Sequence, residues 1–246
     1  MRGIQHKLGI VLPANNSVLE PELWPHLPAD VALHAARILV RGNLTPQAIE
    51  AMESQVTRAV DELIATGVDL IVYADMVTTF VMREGWNKER SQAITRKTAL
   101  PCISAWAAMK RALAAIGARR LAIGSPYPAA IHLLAVAYFR KVGFDVVAEA
   151  TLDVLAVRDV PRVSRSAVVE LATSIARPDT DAVVLLATDL PTFDAIETIE
   201  SRSGRPLLSC NQTILWAALG QRGVRIEGGS LGRLFQHQPA QQEIVQ

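Results

Sequence analysis

An acidic residue directly follows a strongly apolar segment in the first half of the chain. Residues 69–74 read Asp-Leu-Ile-Val-Tyr-Ala, Asp75 comes next, and Thr78 and Thr79 lie shortly beyond it. A carboxylate at the end of a buried strand is unusual unless it caps, pairs or reacts. Asp75 could therefore be a general base with the two threonines as hydrogen-bond donors, or it could cap the following turn.

A similar segment lies in the second half of the chain. Residues 181–188 read Asp-Ala-Val-Val-Leu-Leu-Ala-Thr, so Thr188 follows an apolar strand as Asp75 does, and Asp189 comes next. Ligands of open parallel sheets bind beyond the carboxyl ends of the strands. Two facing lobes would place Asp75 and Thr188 on opposite walls of one cleft. The alternative is that Thr192 or Asp189 only caps the next helix.

Two asparagines follow the first predicted strand. Asn15 and Asn16 precede Ser17, and Ser17 with Glu20 has the spacing of a capping box that opens a short helix. A helix N-terminus lined by amide side chains can bind a carboxylate. The segment therefore predicts either a contact to a substrate carboxylate or only a capped helix start.

Tyr127 and Asn211 lie in two further loops that follow predicted strands. Prolines flank Tyr127 on both sides, which fixes its direction, so its phenol could donate to a substrate oxygen or simply pack. Cys210 precedes Asn211, but no histidine follows nearby to activate the thiol. This second loop predicts a helix cap or an anion contact rather than a nucleophile.

Short apolar segments alternate with amphipathic ones along the chain, which predicts an α/β fold with largely parallel sheets. In the longest amphipathic segment, Thr45 is a natural N-cap, Pro46 suits the first helical position, and Gly67 provides the stop. The predicted strands are 7–12, 31–39, 69–74, 101–103, 120–124, 145–151, 182–187 and 206–209. The predicted helices are 45–66, 87–98, 105–116, 129–142, 164–176, 192–203 and 212–220.

The two similar apolar strands indicate two similar lobes, split near residue 117. Each lobe is expected to be a largely parallel sheet flanked by helices, with the active site in the cleft between the lobes. We assign residues 1–117 to the first lobe, 118–235 to the second, and 236–246 to a polar, flexible tail.

Composition excludes several classes of function. The 246 residues carry a formal net charge of +1 with scattered Lys and Arg, so neither nucleic acid nor an anionic membrane is expected as a partner. The amino-terminal residues do not form the apolar segment of a secretory signal, and no run of about 18 apolar residues is present. We therefore expect a cytoplasmic protein.

The histidines, cysteines and glycines provide no recognisable cofactor motif. The five histidines and two cysteines show no metal-ligand spacing, and neither a P-loop nor a GxGxxG fingerprint occurs. No metal or nucleotide cofactor is therefore expected. Instead, the small polar residues at the strand ends predict a small polar ligand.

Several segments spread along the chain match the wording of a known family. They are Gly-Ile-Val-Leu-Pro-Ala-Asn-Asn-Ser-Val-Leu-Glu-Pro at 9–21, Gly-Ala-Arg-Arg-Leu-Ala at 117–122 with Ser-Pro-Tyr at 125–127, Leu-Pro-Thr-Phe-Asp-Ala-Ile at 190–196, Gly-Arg-Pro-Leu-Leu-Ser-Cys-Asn-Gln-Thr-Ile-Leu-Trp-Ala at 204–217, and Gly-Arg-Leu-Phe at 232–235. These segments resemble the aspartate/glutamate racemase superfamily, and within it the maleate isomerases and arylmalonate decarboxylases. The resemblance covers about residues 7 to 235 and implies the two-lobed α/β fold already predicted.

The resemblance implies cofactor-independent isomerase or lyase chemistry on a small carboxylate, in a monomer or a small homo-oligomer. Asn16 and Tyr127 would contact the substrate carboxylate, and Asn211 would help to line the same pocket. Racemases and maleate isomerases resembling this chain carry catalytic cysteines at the positions of Asp75 and Thr188, and arylmalonate decarboxylases keep only the second. Met76 and Val77 also stand where the decarboxylases have hydroxyl donors.

Asp75 is then the strong base that remains at the expected centre, because a threonine hydroxyl is a poor base near neutral pH. Burial would raise its pKa from ~3.9 toward a range useful for acid–base catalysis. Such a base suits isomerisation, tautomerisation or decarboxylation, with Thr188, Tyr127 and Thr78 as donors to an oxyanion. Two alternatives remain open: a hydrolase of a small cyclic amide or imide in which Asp75 activates water, and a non-catalytic carboxylate-binding protein.

Overall fold

Two four-stranded sheets, each wholly parallel, form the framework of the structure, a computed structural model that describes residues 3–224 and 231–239. The strand orders are β2-β1-β3-β4 and β6-β5-β7-β8, so each half of the chain builds the same topology from four consecutive strands. The predicted fold class is therefore confirmed. The strands are β1 His6–Pro13, β2 Val31–Ile38, β3 Leu70–Tyr73, β4 Cys102–Ser104, β5 Arg120–Ser125, β6 Asp145–Thr151, β7 Ala182–Leu185 and β8 Leu207–Ser209.

Ten α-helices connect and cover these strands in the described part of the chain. None of the described helices is long and apolar enough to cross a membrane. The helices are α1 Leu19–Leu23, α2 Pro46–Glu53, α3 Val56–Ala65, α4 Thr78–Val81, α5 Trp86–Thr98, α6 Ala105–Ala115, α7 Ala129–Lys141, α8 Arg165–Ile175, α9 Ile196–Ser203 and α10 Cys210–Gln221, and 3-10 turns are formed by Trp24–His26, Val157–Arg162, Phe193–Ala195 and Arg233–Gln236.

The most buried elements lie at the centre of the molecule. Strands β3 and β7 are buried along their whole length, as expected for parallel strands with helices on both faces. Helix α10 is buried from Cys210 to Gly220, around its whole circumference, which is typical of a helix inside a core. Because α10 belongs to the second half and packs against α6 of the first half, it joins the two sheets.

The predicted helix 45–66 is wrong in one respect, since it is two helices. Its start is as expected, with the Thr45 hydroxyl accepting a hydrogen bond from Ala48 N at 3.2 Å. The interruption falls at Gln55, between α2 and α3. The Gln55 side chain accepts from Leu39 N at 3.0 Å and donates to Leu39 O at 2.8 Å. These two hydrogen bonds attach the segment after β2 to the interruption between the helices. Helical periodicity does not predict such a contact.

The predicted capping box of Ser17 and Glu20 is also wrong. Helix α1 begins at Leu19, and the Asn16 side-chain oxygen accepts from Val18 N and Leu19 N, both at 3.0 Å. Glu20 instead forms an ion pair with Arg37, whose guanidinium also donates to Asn16 O at 2.7 Å. Asn16 is therefore the residue that starts the helix.

Other differences concern element boundaries. Helix α4 and the 3-10 turn Val157–Arg162 were not predicted, and the helix predicted from residue 192 begins as the 3-10 turn Phe193–Ala195. Helix α10 begins at Cys210 rather than at 212, because Ser209 and Gln212 form a full capping box before it. The tail predicted for 236–246 lies outside the described residues from 240 onward.

Candidate active site

A cleft opens where the carboxyl ends of the central strands of both sheets meet. It contains about 510 Å³ of space not filled by protein atoms, the part open to solvent included. The loops after β1, β3, β5 and β7 all contribute to it, which is the position expected for a ligand site in parallel sheets. The lining residues from these loops are Pro13, Asn15, Asp75, Met76, Val77, Tyr127, Pro128, Ala187, Thr188 and Asp189.

The outer walls of the cleft are apolar. One wall belongs to the first half of the chain and the other to the second, and the two walls meet where Asn43 pairs with Ala156 in an isolated antiparallel bridge. No lysine, arginine or histidine is among the described residues that line the cleft. The cleft thus presents two carboxyl groups within mainly apolar surroundings. The wall residues are Val40, Leu44 and Met52 on one side, and Val154, Val157 and Val160 on the other.

Asp75 lies just beyond the end of β3 and is 2 % exposed. One of its carboxyl oxygens accepts from Thr78 N at 2.9 Å, at the start of α4, so the residue caps this turn as well as facing the cleft. Burial raises the pKa of the Asp75 carboxyl above its ordinary value, and the hydrogen bonds from Thr78 act in the opposite direction. Both sequence-based interpretations of Asp75, turn cap and cleft carboxylate, therefore describe its placement.

Thr188 bridges the two halves of the chain beside Asp75. Its hydroxyl donates to Ala74 O at 3.1 Å and accepts from the Asn16 side chain at 3.1 Å. The single hydroxyl hydrogen is therefore already used. Ala187, just before it, has a φ of 85°, a left-handed conformation that is costly for a residue with a side chain. This backbone turn allows both Thr188 and the next residue, Asp189, to line the cleft.

Asp189 provides the second carboxyl group of the cleft. One of its oxygens accepts from the Asn15 side chain at 3.1 Å, and the same amide group donates to Val157 O at 3.1 Å. Burial raises the pKa of Asp189 from 3.8 to about 7, and the charge of Asp75 adds to the rise. Asn15, from the first half of the chain, therefore holds the Asp189 carboxyl group of the second half in place.

Tyr127 reaches the cleft from a loop that is fixed by a chain of hydrogen bonds. The Ser125 hydroxyl accepts from Tyr127 N at 3.3 Å and lies 2.8 Å from His132 Nδ1, and His132 Nε2 lies 2.7 Å from a Glu149 oxygen. Burial raises the pKa of the Tyr127 phenol well above its ordinary value. The phenol therefore stays protonated and remains a hydrogen-bond donor.

Four of the predicted site residues do not line the cleft. Asn16 starts α1, as described above. The backbone N–H of Thr78 donates a hydrogen bond to the Asp75 carboxyl group. Thr79 accepts a hydrogen bond from the Asn87 side chain at 2.7 Å, away from the cleft. Asn211 donates to Glu22 at 2.6 Å. The structure thus brings together Asn15, Asp75, Tyr127, Thr188 and Asp189.

Sequence reasoning missed two glutamates near the site, the half-buried Glu22 and the buried Glu53. Glu22, from α1, accepts from Thr192 N and from Phe193 N, the latter at 2.8 Å, so it caps a turn in the opposite half of the chain. Burial raises the pKa of Glu22 to about 6. Glu53 is 3 % exposed. Its position one helical turn after Ile49, on the apolar face of the helix, was the signal that could have found it.

Neither cysteine of the chain lies in the lining of the cleft. Burial raises the pKa of the Cys102 thiol to about 12, and it raises the pKa of Cys210 as well. Both thiols are thus protonated and poorly nucleophilic near neutral pH. Within residues 3–224 and 231–239, no cluster of His, Cys, Asp and Glu is arranged to hold a metal ion.

The two matched parallel sheets and the cleft at their carboxyl ends define a protein with the aspartate/glutamate racemase type of fold. More narrowly, the chain belongs to the arylmalonate decarboxylase family, whose model matches residues 8–235. It is 25% identical to the maleate isomerase of Nocardia farcinica over 95% of this chain and 97% of the relative. It is 26% identical to the arylmalonate decarboxylase of Bordetella bronchiseptica over 92% and 91% of the two chains.

A solved structure of Nocardia farcinica maleate cis-trans isomerase, a variant with a covalently bound succinylcysteine intermediate, superposes with a TM-score of 0.88 at 25% identity. The match covers 94% of this chain and 98% of that one. The relatives are isomerases and lyases, so the predicted family and enzyme class are confirmed, and the hydrolase and binding-protein alternatives are not favoured. This chain differs in that its two cysteines lie outside the cleft.

Proposed function

We propose that this protein moves a proton at the carbon next to the carboxylate of a small acid, as an isomerase, tautomerase or decarboxylase, with Asp75 as the acid–base group. The observation that carries the proposal is the placement of Asp75 at the end of β3, buried and facing the cleft. The resemblance described above gives this position to a catalytic cysteine in related enzymes. A carboxyl group there keeps the capacity for proton transfer but not for thiolate attack.

Two forms of the reaction are compatible with one carboxyl group. In an isomerisation, ionised Asp75 removes a proton from carbon and returns it to a different atom of the same substrate. In a decarboxylation, the bond to CO2 breaks, the electron pair stays on the substrate, and protonated Asp75 donates its proton to that carbon. Because burial raises the pKa of Asp75, the protonated form persists closer to neutral pH than for an ordinary aspartate.

Hydrogen bonding within the cleft limits which groups can stabilise an oxyanion. The hydroxyl hydrogen of Thr188 is directed to Ala74 O, and the amide hydrogens of Asn15 are directed to Val157 O and Asp189. Tyr127, which stays protonated, is therefore the side-chain donor that we assign to the developing negative charge on the substrate. In this assignment Thr188 and Asn16 hold the strand ends together.

The charge of the cleft restricts the substrate. With Asp75 and Asp189 in its lining and no cationic side chain among the described lining residues, a dianionic substrate would meet a repulsion of about 1 kcal/mol or more per close charge pair. The apolar walls also favour a substituent without charge. We therefore assign a carboxylic acid that carries an apolar group and binds as a monoanion, with any second carboxyl group protonated.

The proposal can be tested by proton NMR in D2O with carboxylic, hydroxy and malonic acids bearing apolar groups, together with cyclic imides. The proteins compared are wild type, Asp75→Asn and the control Asp61→Asn, which changes an aspartate whose side chain is 56% exposed on α3. Circular dichroism melting curves check that each variant is folded. We expect deuterium incorporation or CO2 loss in wild type and in Asp61→Asn, and its loss in Asp75→Asn.

Two outcomes would contradict the proposal. Turnover that persists unchanged in Asp75→Asn would reduce Asp75 to a turn cap. Ring opening of an imide, without exchange or CO2 loss on the acids, would replace proton transfer at carbon by hydrolysis.

A further inference from the structure

Behind the cleft, a row of buried oxygen atoms leads away from Asp75. Thr78 donates its backbone N–H to Asp75, and its hydroxyl also contacts that carboxyl group. The Tyr73 phenol lies 3.4 Å from the Thr78 hydroxyl and forms a hydrogen bond to one carboxyl oxygen of Glu53. Asp75, Thr78, Tyr73 and Glu53 are thereby connected in one continuous row.

The far end of this row approaches the protein surface. The second carboxyl oxygen of Glu53 lies 2.8 Å from a guanidinium nitrogen of Arg90, whose side chain is 20% exposed. That guanidinium also lies over the Trp86 ring, 4.9 Å from its centroid. The row therefore begins at Asp75 in the cleft, passes through the interior, and ends beside a partly exposed arginine on α5.

Glu53 has a structural role as the partner of Arg90, but accepting a hydrogen bond from Tyr73 does not by itself require an acid. The Tyr73 phenol needs an acceptor because it is fully buried, but a neutral amide or carbonyl oxygen would serve at a smaller desolvation cost. A carboxyl group differs from those acceptors in that it can also release a proton. The hydroxyl groups between Glu53 and Asp75 can each accept one proton and pass on another.

We propose that Glu53 is a positioning residue that returns a proton to Asp75 through the hydroxyl groups of Tyr73 and Thr78. This inference rests on the proposed function in its decarboxylation form, in which Asp75 gives its proton to carbon and must be reprotonated in every turnover. Glu53 donates its proton to the Tyr73 oxygen, Tyr73 donates its own to the Thr78 oxygen, and Thr78 donates its own to the Asp75 carboxylate. One proton moves along the row, nothing is oxidised or reduced, and Glu53 then regains a proton from solvent at the end of the row beside Arg90.

The titration behaviour of the two carboxyl groups agrees with this role. Burial raises the pKa of Glu53 to about 7; Arg90 acts in the opposite direction, and the charge of Asp75 raises it further. Burial also raises the pKa of Asp75. Glu53 is faced by Arg90 from α5 and by Tyr73 and Asp75 from β3 and its end, so the two carboxyl groups titrate as a coupled pair.

Two variants separate proton conduction from charge. Tyr73→Phe removes the middle hydroxyl and leaves both carboxyl groups in place, so we expect kcat to fall about tenfold to a hundredfold with little change in KM. Asp75→Asn removes the negative charge that raises the pKa of Glu53, so we expect the pKa of Glu53 to fall in this variant. The control is Glu50→Gln, which changes an exposed glutamate on the same helix α2.

The pKa of Glu53 is to be measured by NMR titration of protein labelled with 13C at the glutamate carboxyl groups, with Glu53→Gln identifying the signal. Wild-type kcat in Tyr73→Phe would overturn the relay. A Glu53 midpoint that is the same in wild type and Asp75→Asn would also overturn it, whether or not the wild type turns over. If wild type shows no turnover but the midpoint falls in Asp75→Asn, the coupling stands and the proposed function fails.

Discussion

The ends of β3 and β7 occupy matching places in two sheets of the same topology, yet they are built differently. After β3, Asp75 immediately follows Ala74 in the sequence, and its hydrogen-bond donor Thr78 comes from the same loop. After β7, Ala187 takes a left-handed conformation, a hydroxyl residue follows, and the carboxyl group comes one residue later, at Asp189. Equivalent positions in a repeated fold can thus carry different chemical tasks.

The partners of these two strand ends also differ in origin. The carboxyl group of Asp75 is held from within its own half of the chain, whereas Thr188 binds Asn16 and Ala74 of the opposite half. Asp189 is likewise held by Asn15. The carboxyl group at the end of β3 is therefore held within its own half of the chain, and the end of β7 is a junction between the two halves.

The largest expected effect concerns catalysis. If the end of β3 carries the chemistry, Asp75→Asn lowers kcat by about 10²–10⁴-fold, the range typical for loss of a general acid or base. Asp189→Asn should stay below the lower end of that range, because its carboxyl group is engaged by Asn15. Steady-state kinetics on the substrate identified by NMR compare the two. A larger loss in Asp189→Asn would transfer the acid–base role to the end of β7.

The next effect concerns the dependence of stability on pH. Asp189 keeps its proton in the folded state up to about pH 7 but ionises near 3.8 when unfolded, so its contribution to stability is lost as pH rises between these values. Asp189→Asn does not titrate and should gain stability relative to wild type over this range, by at most about 4 kcal/mol. Urea denaturation at pH 5 and pH 8 measures the difference. An equal difference at both pH values would be inconsistent with a raised pKa of Asp189 in the folded state.

A smaller effect tests the junction itself. Thr188→Val removes the hydroxyl that joins Ala74 O to the Asn16 side chain, which leaves buried polar atoms without a partner and should lower the free energy of unfolding by about 1–3 kcal/mol. The matched control is Thr57→Val at an exposed position of α3. Chemical denaturation of both variants decides the point, and equal losses would mean that the bridge adds nothing to stability.

The smallest effect has opposite signs at the two strand ends. Ala187 has a φ of 85° and Ala74 does not have a positive φ. Ala187→Gly should therefore raise the free energy of unfolding by about 1 kcal/mol, because glycine adopts this conformation without strain. Ala74→Gly should lower it by about 0.5–1 kcal/mol. Thermal denaturation gives both values, and a shared sign would contradict the contrast in backbone conformation.

The alternation of apolar and amphipathic segments, together with the similar strands before Asp75 and Thr188, predicted the two parallel sheets and the cleft at their carboxyl ends. Asp75, Tyr127, Thr188, Asn15 and Asp189 could be brought together from sequence because each follows a strand, and strand ends in parallel sheets share one edge. The left-handed turn at Ala187 could not be predicted, since alanine has no local preference for it.

The remaining features depend on contacts between residues far apart in the chain. The amide of Gln55 interrupts a helix because it binds Leu39, and Glu22 caps a turn that begins at Thr192. Ser17 and Glu20 matched a common capping pattern, yet the Asn16 side chain caps the helix. Arg37 binds both the Asn16 carbonyl oxygen and the Glu20 carboxylate, which favours this arrangement. Local sequence patterns do not contain this information.

The position of Glu22 has a consequence for synthesis on the ribosome. Its side chain lies in α1, but its hydrogen-bond partner Asn211 is 189 residues further along the chain. The first sheet ends with β4 at Ser104 and can form while translation continues. Glu22 stays hydrated until its partners Thr192, Phe193 and Asn211 have emerged. Its contacts across the two halves are therefore completed near the end of translation, after the strands of both sheets.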